Sequence, residues 1–562
     1  MAQEAAEDLY KVIGIDFGTT SVSACVFADN QCKVVTDAET GRLISSVIRF
    51  DQRVLFGEKA RTSTISPLYV SDIKSMIGLK QIPEEVINGI KGCSVTKDDR
   101  GKSMIQFDNP LPGFEESPYP SIYPEFLLAL IMRYVALQGS LIANLRMEST
   151  VISVPPSFSL KQIHVMKTAA SLANLRVSRI VTDPQAIMTM MLSQTPDVEC
   201  KCVVYDLGGG DFHLSYLEKD RNHLTLIDSE KVSGLSGAVI DKTFAEYLRQ
   251  MTGSQEDLID EAERVKMDLS ANERATLSIN SFEVTRDQFY DACEPVFEKI
   301  VNALKAFIDK HNFKFEGEDK LVIVGGNSQM MTIYEMILSE FPKGIILQSP
   351  DQLVANGCLV VAMDMIQETS SFNNVLPCSL YYSANQKGAY HLFDKFTPLS
   401  KCEKMVSHIP KLLSSTNRLY VFDNSDSYIG YFDIPTNIEE SDYLCCFSIS
   451  DDFEIKLDIV NGEHRKICSC SLQYYDEVEE SDMKTFSLVS EFTSQLRRII
   501  ACFSRPEFGS DPNVATLLGI MDQYYDQESS FRLYPSQDMT ENLNTVMKEF
   551  SDLYYEYYNN EL

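Results

Sequence analysis

Short apolar runs alternate with stretches of helical periodicity over the first two thirds of the chain. Residues 12–15 (VIGI) and 202–205 (CVVY) read as strands, and each run ends at an aspartate that is followed by glycines. Residues 321–324 (LVIV) form a similar run that ends at two glycines and precedes a helical pattern. Alternating strands and helices are typical of α/β architecture. The repeated order of strand, aspartate and glycine indicates a duplicated unit.

The pattern changes after about residue 370. Short runs rich in Tyr, Phe, Val and Ile are then separated by turn residues, which is typical of a β-sandwich. An acidic stretch, 476–482, is followed by apolar residues spaced three and four apart, which predicts helices whose apolar stripe serves core packing. We therefore predict an α/β domain over 10–369, a β-sandwich over 375–480 and a helical tail over 481–562.

Composition narrows the functional classes. The 562 residues include 50 Lys and Arg against 81 Asp and Glu, for a net charge of −31, which argues against a general nucleic-acid binder. The most apolar helical segment, 126–145, contains Arg133 and Gln138, so we expect a buried helix and no membrane span. The 14 cysteines lack the spacing of zinc sites, and the first ten residues lack a secretory signal pattern. We expect reduced thiols and a cytoplasmic location.

Two glycine turns carry the strongest chemical signal. Residues 16–20 read DFGTT and residues 206–211 read DLGGGD. Glycine lets backbone N–H groups approach a phosphate, threonine hydroxyls can donate to it, and aspartate can hold hydrated Mg²⁺. One such turn is weak evidence because hairpins commonly use Gly and Asp. Two of them, together with Gly325 and Gly326, predict a nucleotide site that is neither a P-loop nor a Rossmann turn.

The same segments resemble the signatures of the heat shock protein 70 chaperones, which share the actin and sugar-kinase ATPase fold. Residues 13–23 (IGIDFGTTSVS) and 204–217 (VYDLGGGDFHLSYL) are similar to the two phosphate signatures, and 322–337 (VIVGGNSQMMTIYEMI) to the adenosine signature. The resemblance covers about residues 10–367. It implies an actin-like, duplicated ribonuclease-H-like α/β fold that binds ATP or ADP with Mg²⁺.

The resemblance also implies roles for single residues. Lys74, in the segment DIKSMIG, matches the catalytic lysine of the family, and Asp16, Asp206 and Asp183 would organise metal and water. Asp16 and Asp206 are the implied metal ligands. The residues implied in nucleotide binding are Gly18, Thr19, Thr20, Gly208, Gly209, Gly210, Asp211, Glu263, Lys266, Ser270, Gly325, Gly326 and Asp351.

Several positions depart from the family pattern. Asp211 replaces a threonine, His213 replaces an aspartate implicated in cation binding, and Met267 and Gln329 replace arginines at the adenine. A carboxylate ~5 Å from a phosphate charge costs about 3 kcal/mol at an effective dielectric near 20. An intervening Mg²⁺ would reverse that sign, and the sequence leaves both alternatives open. The join at 369–374 (TSSFNN) lacks the leucines that the family uses for coupling.

The leading hypothesis is a divergent chaperone that binds ATP with Mg²⁺, hydrolyses it slowly and assists protein folding. Its expected partners are unfolded or nascent polypeptide and a J-domain co-chaperone, a ribosome or another chaperone, with no nucleic acid and no membrane. The alternative is a non-hydrolysing regulatory relative, of the ribosome-associated or nucleotide-exchange type. A sugar kinase or actin-like filament is the third class, in which the β-sandwich and helical tail would have no place.

Overall fold

The computed structural model describes residues 10–37, 40–50, 54–63, 68–79, 82–88, 90–98, 101–107, 121–192, 199–220, 223–279, 281–341, 344–346, 352–367, 371–383, 390–406, 417–423, 428–435 and 443–474. The chain divides into two compact units. The first comprises Met1–Val154, Phe158–Val181 and Leu376–Leu562, and the second comprises Pro155–Ser157 and Thr182–Val375. Asp351 and the helical tail predicted over 481–562 lie outside the described residues.

The first unit begins with a mixed sheet in the order β12-β11-β1-β2-β3, with β4 paired to β2. Strand β1 is parallel to β11 and antiparallel to β2. The strands are β1 (Val12–Phe17), β2 (Ser21–Ala28), β3 (Gln31–Val34), β4 (Ile44–Ser45), β5 (Ile48–Phe50), β6 (Val54–Phe56), β7 (Tyr69–Val70), β8 (Cys93–Lys97), β9 (Ser103–Phe107), β10 (Ser121–Ile122), β11 (Ser149–Val154) and β12 (Arg176–Thr182). The helices are α1 (Gly57–Thr62), α2 (Glu84–Asn88), α3 (Pro124–Ala143) and α4 (Leu160–Leu172).

Helix α3 is the apolar segment that the sequence assigns to the core. It begins with Pro124, whose missing N–H costs nothing at a first helical position, and it ends at Asn144 in the left-handed region. By length and composition alone α3 could cross a membrane, but 72% of its most apolar window is buried inside the protein. Burial on most faces explains why its hydrophobic residues are not confined to one stripe.

The second unit contains a sheet in the order β19-β18-β13-β14-β15-β20. Its strands are β13 (Cys200–Leu207), β14 (Phe212–Asp220), β15 (His223–Lys231), β16 (Arg274–Thr276), β17 (Glu283–Thr285), β18 (Lys320–Val324), β19 (Gly344–Ile346) and β20 (Ser371–Asn373). Its helices are α5 (Asp183–Leu192), α6 (Gly237–Thr252), α7 (Ile259–Ala271), α8 (Arg286–Lys310), α9 (Met331–Glu340) and α10 (Leu353–Gln367). Strand β13 pairs antiparallel with β14 and parallel with β18, as β1 does with β2 and β11.

Strand β20 comes from the polar join between the α/β region and the later strands. It pairs in parallel with the first residues of β15, with Phe372 opposite Leu224. Pairing of this kind uses backbone N–H and C=O groups and therefore needs no leucine side chains. Residues 371–373 of the join thus have an ordered place at the edge of this sheet, which their composition did not indicate.

The later strands form two antiparallel sheets, β22-β21-β24-β25-β29 and β23-β26-β27-β28. Phe447 of the four-stranded sheet packs against Tyr382 and Phe432 of the five-stranded sheet, with ring centroids 5.4 and 6.1 Å apart. This is the face-to-face packing of a β-sandwich. The strands are β21 (Leu380–Ser383), β22 (Tyr390–Phe393), β23 (Glu403–Val406), β24 (Arg418–Asp423), β25 (Tyr428–Asp433), β26 (Tyr443–Ile449), β27 (Ile455–Asn461), β28 (Lys466–Ser471) and β29 (Gln473–Tyr474).

The β-sandwich shares a hydrophobic core with the earlier part of the first unit. At its margin the ammonium group of Lys167, on α4, lies 3.0 Å from the Glu454 carboxylate. One turn earlier on the same helix, the His164 ring stacks on Tyr474 with centroids 3.6 Å apart. Helix α4 therefore contacts the β-sandwich through both side chains. The described cysteines form no disulfide with one another, and most of them are buried.

Candidate functional site

The first glycine turn closes the hairpin between β1 and β2. Asp16 lies opposite Ser23 in the register, one position before the end of β1. The Gly18 N–H donates to the Ser21 carbonyl at 3.0 Å, and a Cβ at position 18 would lie 2.4 Å from that oxygen. Glycine is therefore a steric requirement of this tight turn. Thr19 is half-buried and Thr20 is exposed.

Lys74 lies in the first unit, in a short 3-10 turn (Ile73–Met76) that follows Asp72 in the left-handed region. Its side chain is buried, and its ammonium group is 5.7 Å from the centroid of the Phe158 ring. Downstream, Gly78 has a φ of +65°, and a Cβ there would lie 2.9 Å from the Cα of Gln162 on α4. The close approach of Gly78 to α4 fixes the segment that carries Lys74.

The second glycine turn, between β13 and β14, repeats the arrangement of the first. Asp206 lies opposite His213, one position before the end of β13. The Gly208 N–H donates to the Asp211 carbonyl at 2.9 Å, as Gly18 does to Ser21. Both predicted turns therefore have the same backbone hydrogen bond, and both place an aspartate at the same register position of a hairpin.

Asp211 forms an ion pair with Lys231, the last residue of β15. Lys231 lies opposite His213 in the register of β14 and β15, which brings its side chain beside the turn. From the sequence, the Asp211 carboxylate could either repel a bound phosphate or act as a Mg²⁺ ligand. The ion pair with Lys231 is a third arrangement, which offsets the negative charge at the turn.

The carbonyl of Gly208 accepts two hydrogen bonds. One comes from the Gly237 N–H and one from the Nδ2 of Asn327, each at 3.0 Å. The next carbonyl, that of Gly209, accepts from the Ala238 N–H at 2.8 Å. The first amides of α6 and the segment after β18 therefore hold the second turn by its carbonyl oxygens.

Lys266, which the resemblance assigns to nucleotide binding, has a buried ammonium group. It lies 2.7 Å from the Asp241 carboxylate and donates to the Oδ1 of Asn327 at 3.0 Å. Because Asn327 also donates to Gly208, Lys266 is connected to the glycine turn through one side chain. The structure thus gives Lys266 two protein partners that the sequence did not reveal.

Gly325 packs against the end of β13. Its φ is +90°, and a Cβ at this position would lie 2.4 Å from the Leu207 carbonyl oxygen and 2.7 Å from the Asp206 carboxylate. A glycine is needed for both reasons. At Gly326, by contrast, an added Cβ would meet nothing within 4 Å.

Helix α7 carries the remaining residues assigned to the adenosine. Glu263 is half-buried, and Ser270 is exposed and donates from Oγ to the Lys266 carbonyl at 3.0 Å. Met267, which replaces a family arginine, is 54% exposed. Asp183, the buried first residue of α5, belongs to the same unit.

His213 is buried, and its Nε2 lies 2.9 Å from the Oγ of Ser157. This imidazole stands where the family has an aspartate. It therefore provides a hydrogen-bonding ring at a position where the resemblance implied a carboxylate.

The predicted site residues are divided between the two units. The first unit holds Asp16, Gly18, Thr19, Thr20 and Lys74, and the second holds the others apart from Asp351. Within the second unit, Gly325 packs against Asp206. Lys266 is connected to Gly208 through the side chain of Asn327. Glu263 and Ser270 lie on helix α7, as Lys266 does. Among the described residues, no three His, Cys, Asp or Glu side chains form a metal cluster.

Sequence reasoning missed Asn327, Asp241 and Lys231. Asn327 directly follows the two glycines after β18, so its position was a usable signal. Lys231 is twenty residues from Asp211, and only the strand register connects them.

Comparison with known proteins places these features in one family. The family model described as Hsp70 protein matches residues 12–423, which includes both glycine turns and extends into the β-sandwich. The chain is 27% identical over 369 residues to the chaperone protein HscA of Enterobacter sp. (strain 638), covering 62% of this chain and 57% of HscA. It is 25% identical over 443 residues to heat shock 70 kDa protein 14 of Rattus norvegicus, covering 72% of this chain and 86% of that protein. The chain therefore belongs to the Hsp70 family.

Proposed function

We propose that the protein is an Hsp70-type chaperone that binds ATP with Mg²⁺ through its two glycine turns. The supporting observation is the repetition of one local geometry, in which an aspartate precedes a glycine whose N–H closes the turn. The sheets that carry the turns also share their order of pairing around β1 and β13. Such a repeat supports the duplicated, actin-like arrangement.

The donor set at the turns suits nucleotide phosphates and Mg²⁺. Asp16 and Asp206 provide carboxylate oxygens, which Mg²⁺ prefers, and they are the residues that would hold the ion. When bound, Mg²⁺ would neutralise part of the phosphate charge. The close approach at Gly18 leaves no room for a side chain, so the backbone itself forms the inner wall of the turn.

In this proposal hydrolysis depends on Lys74. Its buried ammonium group would position the attacking water or the terminal phosphate, and Asp183 would help to orient that water. Hydrolysis is expected to be slow, because Asp211 adds a carboxylate where the family has a hydroxyl. The β-sandwich would hold an extended apolar peptide, with a J-domain protein, a ribosome or another chaperone as partner.

The test is single-turnover ATP hydrolysis beside equilibrium ATP binding. Lys74→Ala is expected to abolish hydrolysis while ATP binding stays within a few-fold of the wild type. Lys33→Ala is the matched control, because Lys33 lies in the same unit and pairs with Asp29 on the surface. Failure of the wild-type protein to bind ATP in the presence of Mg²⁺ would refute the proposal.

A second candidate is a regulatory relative that binds ATP without hydrolysing it. The ion pair between Asp211 and Lys231 favours it, because the pair replaces a hydroxyl at the phosphate turn with two charged groups. Tight ATP binding with no turnover that depends on Lys74 would support this candidate. Co-purification with a J-domain protein, a ribosome or a conventional Hsp70 would then identify the partner.

A further inference from the structure

The side chain of Asn327 connects the second glycine turn to helix α7, and it shares its acceptor on the turn with the start of helix α6. Its Nδ2 donates to the Gly208 carbonyl oxygen at 3.0 Å, and the first amide of α6 donates to the same oxygen. Its Oδ1 accepts from Lys266 of α7 at 3.0 Å. Both acceptor positions of the Gly208 oxygen are therefore used, one by Asn327 and one by Gly237.

The orientation of the Asn327 amide follows from the chemistry of its partners. An ammonium group can only donate and a carbonyl oxygen can only accept. Lys266 therefore requires Oδ1 on its side, and Nδ2 must face Gly208. The Asp241 carboxylate, 2.7 Å from the Lys266 ammonium group, balances the buried charge and keeps the lysine in place.

The space around this amide is narrow. An added Cβ at Gly237 would lie 2.3 to 2.9 Å from the three atoms of the Asn327 amide group. Glycine at the start of α6 thus lets the helix amide and the asparagine amide reach one oxygen together. A hydrogen bond to a partly buried acceptor is costly to lose, because the carbonyl is left with a poorer partner.

We infer that Asn327 is a positioning residue, which holds the second glycine turn in the shape that receives phosphate. The inference rests on the proposed function, since it assigns the residue to the phosphate part of the nucleotide site. Asn327 acts through Gly208 and touches no phosphate itself. Loss of its donation to Gly208, with the Lys266 contact retained, is therefore expected to weaken binding of a nucleotide through its phosphates and to spare binding of the nucleoside.

The experiment measures ATP binding directly, and adenosine binding by competition, for the wild type and two variants. Asn327→Ser removes both side-chain hydrogen bonds, and Asn327→Asp keeps the size and the Lys266 contact while removing the donation to Gly208. We expect each variant to bind ATP about tenfold more weakly. Asn327→Asp should bind adenosine within about twofold of the wild type, whereas Asn327→Ser, which also releases Lys266, should bind adenosine more weakly as well. The ratio of the two affinities in Asn327→Asp is the diagnostic quantity, since general loss of structure would lower both.

Two controls separate the possible outcomes. Asn302→Asp makes the same chemical change at an exposed position of α8 and should leave both affinities unchanged. Added salt should remove the part of the Asn327→Asp effect that is due to charge, and should leave the Asn327→Ser effect in place. If Asn327→Ser fails to fold, the Asn327→Asp ratio at high salt decides.

If the wild type binds ATP, an unchanged affinity ratio in Asn327→Asp would overturn the role of Asn327 and leave the proposed function standing. A wild type that binds no ATP would overturn both.

Discussion

Replacing Lys231 with glutamine tests how the charge of Asp211 at the second glycine turn affects the proposed binding of ATP. Lys231 and Asp211 form an ion pair at the second glycine turn. In Lys231→Gln the Asp211 charge loses this partner and acts on an incoming phosphate. ATP binding should weaken, whereas folding should change little, because an ion pair of partly exposed side chains contributes about 1 kcal/mol or less.

The magnitude follows from the exposure of the two side chains. At ~5 Å and an effective dielectric near 20, the repulsion between Asp211 and a phosphate charge is about 3 kcal/mol. The side chains of Lys231 and Asp211 are 49% and 24% exposed, so water screens the interaction further. An effective dielectric of about 40 gives roughly 1.5 kcal/mol, which corresponds to about tenfold in affinity.

The assay is equilibrium ATP binding at low and high salt. Lys231→Gln should bind about tenfold more weakly at low salt, and the deficit should shrink as salt screens the charges. Asp211→Asn should bind ATP more tightly than the wild type, and the double variant should return to within about threefold of it. Lys201→Gln is the matched control, because Lys201 faces Glu218 at the opposite end of β13 and β14, with a nitrogen–oxygen distance of 3.9 Å. Wild-type affinity of Lys231→Gln at low salt would refute the reasoning.

Two further predictions concern stability. Gly325→Ala should lower the thermal unfolding midpoint markedly, because a side chain at this positive φ costs about 1–3 kcal/mol and would also overlap with Leu207. Gly326→Ala is the control and should change the midpoint little. Equal midpoints for the two variants would contradict the packing described. Hydrogen bonds from Arg264 hold the pKa of Glu261 below its usual 4.5, so the ionised Glu261 carboxylate stabilises the folded state. This contribution to stability is present above pH 4.5 and is lost as the pH falls through the folded-state pKa. Thermal melts of the wild type and Glu261→Gln should therefore differ at pH 7, by about 1 kcal/mol in stability, and converge once the pH is below the folded-state pKa of Glu261. A difference that persists at such low pH would exclude the ion pair between Glu261 and Arg264 as its source.

The sequence was sufficient for features that depend on neighbouring residues. The turn after Asp16 and the turn after Asp206 are each specified by a strand, an aspartate and glycines within a few positions. The buried helix α3 and the β-sandwich strands also follow from local periodicity. Each turn is closed by a hydrogen bond between residues three positions apart, so the presence of the turns could be predicted without tertiary information.

The charge balance at the second turn could not be predicted in this way. The register between β14 and β15 shifts between Tyr216 and Leu217, and this irregularity helps to bring Lys231 opposite His213. Moving a strand by one residue sends every side chain to the other face. An irregularity of one residue therefore decides which charged side chain meets Asp211, and no local pattern reports it. The pairing of Lys266 with Asp241 likewise depends on how α6 and α7 pack.

The order in which the two units take up the chain has a consequence for synthesis. The first unit needs residues from before Val181 and from after Leu376, while nearly all of the second comes from the stretch between them. At about 5–20 residues per second, a ribosome needs roughly 10 to 40 s to produce that stretch. During this time the apolar residues of α4 that later share a core with the β-sandwich have no sandwich to cover them. A member of a chaperone family thus exposes, while it is being made, the kind of surface that chaperones bind.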